Sequence, residues 1–256
     1  MGIMVPTNKA VEQLQGLHLY HAGFSNCAMR VRITLEEKGL AWESHLLDIM
    51  KGEHLTEEYI GINPNAVVPT LVDNGVVIID SADIIDYLDQ KYDQGSLRPT
   101  DKSEVEEMYR WVYLARDNHL SIKTYMYARV GGLEKMKKTA EEMERYRQRQ
   151  TFDSELLTFH ERFSSPGGFS EEDIFSATQV INNCFSEMNE RLKDHNWLAG
   201  SHFSLADIAR IPQLVILNAA RYPFENYPYL ANWKKAVMQR PSFKLGVLDW
   251  LPDMQP

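Results

Sequence analysis

The first 95 residues alternate between short apolar strands and helical segments. Asn74-Gly75, set between two apolar runs, predicts a two-residue β-hairpin, and Gly39 marks the end of the first helix. A βαβ unit requires a parallel pair of strands, whereas the hairpin requires an antiparallel pair. The pattern therefore predicts a βαβαββα unit with a mixed four-stranded sheet, with strands at 17–21, 41–47, 67–72 and 76–79 and helices at 25–38, 54–60 and 81–92.

The pattern changes at residues 95–100, which have the sequence GSLRPT. No further strand is predicted, and helical spacing dominates the rest of the chain. We therefore predict an α/β domain at 17–95 and an all-α domain at 102–256, and interpret residues 1–16 as a loose N-terminal arm. The helices predicted for the second domain are 102–130, 133–150, 171–195, 205–220 and 228–240.

Composition narrows the class of protein. The chain has 256 residues, is 44% hydrophobic and 25% charged, and carries a formal net charge of −9. These values are typical of a globular protein and argue against nucleic acid as a partner. The 2 cysteines, Cys27 and Cys184, are too few for a disulfide scaffold. Without an 18-residue apolar run or a signal-peptide pattern, we expect a cytoplasmic protein with no membrane segment.

Pro69 does not fit a central strand, because proline lacks the N–H that a sheet ladder requires. One interpretation is that it simply begins the strand. The other is that the Val68–Pro69 bond is cis and the bent backbone turns the N–H and C=O of Val68 outward. In that case Val68 could pair with a short peptide, as an added strand does.

Five segments, in this order and spacing, resemble the glutathione-transferase superfamily over nearly the whole chain after residue 16. The run SNCAMRVRI at 25–33 is similar to the Ser-x-Cys-x-x-Arg-Val-Arg-Ile run of the zeta class, and KGEHL at 51–55 to a theta-class loop. The other three resemble the family's cis-proline segment, its third-helix start and a helical-domain capping box, at 63–71, 80–84 and 199–207. The resemblance implies a thioredoxin-like first domain that binds glutathione, an all-helical second domain for the electrophile, and a homodimer.

By this resemblance Ser25 would stabilise the glutathione thiolate. The pKa of a free thiol is about 8.5, and lowering it by about two units requires roughly 2.7 kcal/mol. One hydrogen bond to a charged acceptor supplies about 1.5–3 kcal/mol, and a helix N-terminus about 0.3–1 kcal/mol. A serine hydroxyl could therefore suffice without a general base. The alternative is that Ser25 only caps the helix, and both roles would use the same hydroxyl.

Cys27 lies two residues further on, where a helix N-terminus favours a thiolate. It is in the register of the zeta-class cysteine and resembles the reactive cysteine of tetrachlorohydroquinone reductive dehalogenase. That cysteine attacks a glutathione conjugate and retains the glutathione as a mixed disulfide. The alternative for Cys27 is a small packing residue. Asn26 could donate an amide hydrogen bond in the site or belong only to the turn.

The resemblance also implies that Asp80 and Ser81 bind the γ-glutamyl end of glutathione. Ser81 would offer its N–H and hydroxyl to the carboxylate at a helix N-terminus, and Asp80 would receive the ammonium group. The alternative is helix capping, and a serine here could do both.

Other residues of the first domain would bind the rest of glutathione. Val68 and Pro69 would meet its peptide backbone, and His54, with Lys51, would bind the glycine carboxylate. The alternative for His54 is an ordinary solvated loop residue. Positions 66 and 67, where the family often has a lysine, hold Ala and Val.

The electrophile site is expected on the first helix of the second domain. Tyr109, Tyr113 and Arg116 fall on one face by i, i+4, i+7 spacing and suit a planar aromatic substrate. The alternative is packing at the domain interface, which would also account for the aromatic neighbours Trp111, Tyr125 and Tyr127.

Four reactions are compatible with these motifs: conjugation, dehalogenation or thiol exchange through Cys27, maleylacetoacetate-type isomerisation, and aryl β-ether cleavage. The zeta-like run favours the isomerase, whereas residues 65–72 and an insertion at 137–170 look more like the dehalogenase branch and the bacterial β-etherases. We predict a glutathione transferase acting on a small hydrophobic, aromatic electrophile. A non-enzymatic scaffold is the competing class, but it would not need the glutathione contacts.

No metal site is predicted. The chain has 8 histidines, but His18 and His21 are three residues apart and alternate badly for a strand. The G-x-S-x-G, G-x-G-x-x-G and P-loop motifs are absent, which argues against a hydrolase of the elbow type and a nucleotide-binding fold.

Overall fold

The computed structural model describes residues 2–93, 96–150 and 153–251. Its strands are β1 Ile3–Met4, β2 Leu17–His21, β3 Trp42–Leu46, β4 Thr70–Asp73 and β5 Val76–Ile79. The helices of the first half are α1 Asn26–Glu37, α2 Glu57–Ile60 and α3 Ser81–Lys91. Those of the second half are α4 Lys102–Asp117, α5 His119–Arg129, α6 Ala140–Arg149, α7 Ser154–Ser164, α8 Glu171–Asp194, α9 Leu205–Ala219, α10 Pro228–Met238 and α11 Pro241–Gly246.

The strands form one mixed sheet in the order β1-β5-β4-β2-β3. Only β2 and β3 are parallel, and the other pairs are antiparallel. The mixed α/β sheet followed by helices confirms the predicted fold class. The sheet has five strands rather than four, because Ile3 and Met4, in the segment interpreted as a loose arm, pair with Ile78 and Val77. Two residues are too few to show a strand periodicity.

The strand predicted at 67–72 begins later than expected. The Val68–Pro69 peptide bond is cis, and β4 starts at Thr70, directly after the proline. Its ladder with β2 ends at the Tyr20–Thr70 pair. Val68 therefore lies outside the sheet, in the loop that approaches it.

The helical half differs from the prediction in three places. The predicted helix 102–130 is divided at Asn118 into α4 and α5, where two adjacent residues, Asp117 and Asn118, are of the type whose side chains compete with helical hydrogen bonds. The predicted helix 133–150 is instead a short 3-10 helix, Leu133–Met136, followed by α6, whereas α7, within the segment interpreted as an insertion, and α11 were not predicted. The capping box of Ser204 and Asp207 is present at the start of α9.

Arg30 links the two halves in the interior. Its guanidinium is buried and donates to the carbonyl oxygens of Ala209 and Ala115, each at 3.0 Å. Trp111 and Tyr125 are also buried in the main core, so the packing interpretation holds for these two aromatic residues. The main core is therefore continuous across the domain junction.

The proposed domain limits stay a prediction. Residues 94 and 95, at the end of the first predicted domain, and 252–256 lie outside the described ranges. Just after the first gap, Leu97 is buried, and its N–H donates to Asp89 of α3 at 2.8 Å. The described part of the connection thus packs against the first domain.

Candidate functional site

Ser25 is the N-cap of α1. Its Oγ accepts a hydrogen bond from the backbone N–H of Ala28 at 3.3 Å. A hydroxyl has one hydrogen to donate and two lone pairs to accept. The cap therefore occupies Ser25 as an acceptor and leaves its O–H able to donate to a thiolate, so the two predicted roles do not exclude each other.

Asn26 joins the turn to the second domain. Its Oδ1 accepts from the N–H of Cys27 at 2.8 Å, and its Nδ2 faces Nδ1 of His119 at 3.1 Å. Because the amide nitrogen is only a donor, Nδ1 of His119 is the acceptor and carries no proton. The same Nδ1 lies 3.8 Å from Sγ of Cys27. The Cys27 thiol therefore shares the single lone pair of this neutral imidazole nitrogen with the Asn26 amide, which is the closer donor.

The electrostatics of α5 agree with this protonation state. Burial lowers the pKa of His119 well below its usual value, and the nearby cations Lys123 and Arg30 act in the same direction. The imidazole therefore stays neutral at pH 7. Burial also lowers the pKa of Lys123, one turn along, to about 8, while the charge of Cys27 opposes that change. Lys123 and the Cys27 sulfur are thus electrostatically coupled.

Four side chains, His54, Lys123, Lys138 and His160, form what we call the basic cluster. Nζ of Lys138 lies 3.3 Å from Nδ1 of His160. Burial, followed by the two lysine charges, lowers the pKa of His160 to about 2 and that of His54 to about 4. Within the described ranges, neither lysine forms an ion pair with a carboxylate. The carboxylates whose charges act on the two lysines, Asp153 on Lys123 and Glu142 on Lys138, lie beyond ion-pair distance, so both ammonium groups can still contact an anion directly.

Aromatic rings surround the two lysines of the basic cluster. Nζ of Lys123 lies 4.6 Å from the ring centroid of Phe159 and 5.8 Å from that of Tyr127. Nζ of Lys138 lies 4.6 Å from the centroid of Tyr146. These cation–π contacts hold the ammonium groups against apolar walls. Aromatic rings and positive charge therefore lie side by side in this part of the second domain.

The insertion at 137–170 supplies half of the basic cluster, because Lys138 precedes α6 and His160 lies in α7. The N–H of Lys138 donates to Oγ of Ser164 at 3.0 Å, which ties the two ends of the insertion together. Nε2 of Gln150 donates to the carbonyl of Asn65 in the first domain at 3.2 Å. The insertion is thus fixed against the loop that precedes β4.

His54 and Lys51, both predicted to bind glutathione, have different surroundings. Nδ1 of His54 is buried and has no hydrogen-bond partner among the described residues, so it is available to a ligand. The Lys51 side chain is 77% exposed and pairs with Asp48 at 2.9 Å. The structure thus brings His54 into the basic cluster and leaves Lys51 at the surface.

Hydrogen bonds from two side chains hold the loop around Val68 in place. The hydroxyl of Tyr59 and the amide of Asn63 donate to the carbonyl of Val67, at 2.6 and 2.9 Å. Both side chains also contact the hydroxyl of Thr70, at 2.8 and 3.0 Å. This network fixes the backbone on both sides of Val68 and Pro69 and leaves the predicted peptide contact of Val68 to be tested.

Asp80 and Ser81 begin α3 as predicted. Asp80, with φ of 66°, is the N-cap, and its carboxylate accepts from the N–H groups of Ala82 and Asp83. The buried Ser81 Oγ accepts from Nη1 of Arg30 at 3.0 Å. Since Arg30 is only a donor, the Ser81 O–H is directed elsewhere and can donate to a carboxylate. Asp80 therefore caps the helix, and the hydroxyl hydrogen of Ser81 is not needed for capping.

Tyr109, Tyr113 and Arg116 do share a face of α4. The hydroxyl of Tyr109 bonds to Asp86 and Arg98, at 2.8 and 2.6 Å. Tyr113 stacks on Tyr109 at 5.9 Å, and the Arg116 guanidinium lies over Tyr113 at 5.0 Å. Tyr109 thus contacts α3 and the connecting segment, whereas the contacts of Tyr113 and Arg116 are within α4, so a substrate role for this face stays a prediction. From the second domain, His119 contacts Asn26 and Cys27.

Sequence reasoning missed His119, Lys123, Lys138 and His160. His119 and Lys123 lie in α5, Lys138 precedes α6 and His160 lies in α7, and none of the four shares a motif with residues 25–27. The one local signal was the Asp117-Asn118 pair, which ends α4 and so places His119 first in α5.

The comparisons with known proteins identify the family. The model for the glutathione S-transferase N-terminal domain matches residues 19–96, and that for the C-terminal domain matches residues 151–241. The chain therefore belongs to the glutathione S-transferases, enzymes with glutathione as cosubstrate.

Individual relatives cover most of the chain. Glutathione S-transferase 1 of Dianthus caryophyllus is 32% identical over 91% of this chain and 92% of its own. The zeta-class glutathione S-transferase of Euphorbia esula is 27% identical, covering 93% and 92%. Among solved structures, the β-etherase LigF from Sphingobium sp. strain SYK-6 superposes with a TM-score of 0.78 and 25% identity, covering 90% of this chain and 98% of the other.

None of the helices in the described ranges is both long and apolar enough to cross a bilayer.

Proposed function

We propose that this enzyme joins the sulfur of glutathione to a small aromatic electrophile that carries an anionic group. The observation that supports the anionic group is the basic cluster, in which Lys123 lies close enough to Cys27 for their charges to interact. The electrophile and the thiol of glutathione must meet beside this turn. A carboxylate or phenolate on the electrophile would give Lys123 a direct ion-pair partner in addition to the more distant charge of Asp153.

The thiolate would be stabilised by Ser25 rather than generated by a strong base. The Ser25 O–H can donate while its oxygen caps α1. The neutral His119 has too low a pKa to hold the proton at pH 7, so the thiol proton would leave to solvent. The hydrogen bond and the helix N-terminus together supply roughly the 2.7 kcal/mol that a two-unit lowering of the thiol pKa requires.

The remaining contacts would orient glutathione along the first domain. Its γ-glutamyl carboxylate would accept from Ser81, and its peptide would meet the backbone of Val68. The glycine carboxylate would lie at His54, whose Nδ1 has no partner among the described residues. Lys138 and His160, which lie beside His54 in the basic cluster, would complete the carboxylate site in place of the lysine that is missing at positions 66 and 67.

The electrophile would then lie between the turn and α7. The half-buried Tyr127 would offer ring surface to a planar substrate, with Lys123 over the ring and the buried Phe159 behind it. Similarity to a β-etherase of the same fold supports an aryl substrate. The acidic group would fix the ring so that its electrophilic carbon faces the thiolate.

A matched pair of substrates tests this arrangement. The enzyme is assayed with 4-chloro-3,5-dinitrobenzoate and with its methyl ester, and each kcat/KM is divided by the uncatalysed rate constant with glutathione, because the ester group activates the ring more strongly than the carboxylate does. Lys123→Met should lower kcat/KM for the acid by about 10-fold or more, because a hydrogen bond to a charged group contributes about 1.5–3 kcal/mol. The ester should change little. Lys135→Met, the same substitution at an exposed lysine, is the control.

An equal loss for both substrates would show that Lys123 supports the fold or the thiol and not the anionic group. Wild-type enzyme that prefers the ester would also contradict the proposal.

A second candidate is thiol exchange through Cys27, favoured by its Sγ contact with His119. In this reaction the Cys27 thiolate attacks the glutathionyl sulfur of an aryl conjugate. The aryl carbon leaves with the bonding electron pair and takes a proton, and Cys27 keeps the glutathione as a disulfide. A second glutathione then releases oxidised glutathione and restores the thiol.

We also propose a cytoplasmic homodimer, from the family resemblance. Light scattering coupled to gel filtration tests the dimer directly, and a monomer at micromolar concentration would contradict it.

A further inference from the structure

His18, Glu43 and His45 meet on one face of the sheet. The parallel register of β2 and β3 pairs His18 with Glu43 and Tyr20 with His45. Side chains alternate along a strand, so these residues share the face opposite to Leu19, which belongs to the core that includes the second domain. One ligand atom of each of the three lies within 4.8 Å of the other two.

We propose that His18, Glu43 and His45 bind a divalent transition metal of the zinc type. This site is separate from the glutathione site and does not depend on the proposed function. His18 is three residues, or about 10 Å of extended chain, from the end of β2 that leads into the Ser25 turn.

The first argument concerns lone pairs. Nε2 of His18 lies 3.0 Å from the carbonyl oxygen of Gln15 and must carry a hydrogen to bond with it. In the neutral ring Nδ1 then presents a lone pair. A Glu43 carboxylate oxygen, which is also only an acceptor, lies 3.1 Å from this Nδ1. Two acceptors at that distance require a cation, either a metal ion or a second proton on His18.

The second argument concerns spacing. Zinc binds histidine nitrogen and carboxylate oxygen at about 2.0–2.2 Å, which places tetrahedral ligand atoms roughly 3.3–3.5 Å apart. Nδ1 of His18 lies 3.0 Å from Nε2 of His45 and 3.1 Å from the Glu43 oxygen. Shifts of a few tenths of an ångström would admit the ion.

The third argument is that the two histidines are already oriented. The Gln15 carbonyl fixes the tautomer of His18, the same device that positions histidine ligands in metalloproteins. The ring of His45 stacks on Tyr20 at 4.3 Å with an interplanar angle of 15°. The Glu43 side chain is 75% exposed, so a fourth coordination position would face solvent.

The mixed donor set indicates the class of ion. Two imidazoles and one carboxylate suit Zn²⁺ and its neighbours, whereas Mg²⁺ and Ca²⁺ prefer sites made of oxygen alone. A bound ion would clamp the edge strand β3 to β2.

The test uses metal-free enzyme whose affinity tag has been removed. Calorimetric titration with Zn²⁺, in excess Mg²⁺, should show one site per chain, and Zn²⁺ should raise the Tm. Glu43→Gln and His45→Ala should each weaken binding by more than about 10-fold, since even loss of an outer-shell partner costs 10–100-fold. His202→Ala, at an exposed histidine outside this trio, should bind as the wild type does.

Conjugation activity is measured in parallel and should survive in both ligand variants, which separates this site from the glutathione site. The proposal is overturned if the wild type shows no stoichiometric binding, in which case a proton on His18 holds the trio together. It is also overturned if Glu43→Gln and His45→Ala bind Zn²⁺ as tightly as the wild type.

Discussion

The side-chain amide of Asn26 donates to Nδ1 of His119 over 3.1 Å. This single contact joins the turn before α1 to the first residue of α5. It also fixes the imidazole tautomer that faces the Cys27 sulfur. The geometry of the site therefore depends on a contact between the two halves of the chain.

Asn26→Asp should raise the pKa of His119. The carboxylate keeps the acceptor for the Cys27 N–H but replaces the amide donor with a negative charge, which favours the imidazolium by about one to three pKa units. An NMR titration of the histidine rings measures the change, with the exposed His202 as an internal reference. An unmoved His119 resonance would show that the contact is absent in solution.

Ser25→Ala should raise the pKa of bound glutathione by about one to two units, the loss expected for one hydrogen bond to a thiolate. Conjugation at pH 7 should fall accordingly. The ultraviolet absorbance of the thiolate measures the titration. Ser25→Thr, which keeps both the hydroxyl and the cap, should restore the wild-type curve. If the thiolate titration of Ser25→Ala is the same as that of the wild type, the proposed role of Ser25 is refuted.

Cys27→Ser separates the two reactions proposed for the site. If conjugation through Ser25 is the main activity, the variant keeps that activity within about 3-fold, because serine preserves the size of the Cys27 side chain. Serine is a far weaker nucleophile, so thiol exchange should be lost. Mass spectrometry of wild-type enzyme under turnover should then show no glutathione adduct on Cys27. Loss of activity together with a trapped adduct would establish thiol exchange instead. Cys184→Ser, at the buried cysteine, is the control.

The preference for an acidic substrate should depend on pH through Lys123. Burial lowers the pKa of Lys123 to about 8. Its ammonium is present below that pH and lost above it, while the substrate carboxylate stays ionised. The ratio of kcat/KM for the acid to that for its ester should therefore fall as the pH rises through about 8. The ratio cancels thiolate ionisation, which affects both substrates, and in Lys123→Met it should be flat.

The sequence was sufficient for features that depend on neighbours along the chain. The Asn74-Gly75 hairpin, the α3 start at Asp80 and Ser81, and the capping of α1 by Ser25 all appear where local turn and capping chemistry predicts them. Such features require only residues within a few positions of one another.

The basic cluster and the group formed by His18, Glu43 and His45 depend on contacts between distant residues. His54 and His160 are far apart in the sequence, and nothing near either residue indicates that the fold brings their rings close enough to interact. His18 and His45 share a face because β2 and β3 are parallel in a particular register. The spacing of His18 and His21, three residues apart, places them on opposite faces of β2, and nothing in the sequence indicates His45 as the neighbour of His18.

The strand β1 has a consequence for how the enzyme can be handled. The N–H of Ile79 donates to the carbonyl of Gly2 at 2.9 Å, and a Cβ at Gly2 would approach the Ile79 oxygen to 2.1 Å. The arm therefore lies flat on β5 and covers backbone groups that would otherwise be an open sheet edge, the kind of surface through which proteins aggregate. Deleting residues 2–8 would uncover this edge and should make the enzyme more prone to aggregate.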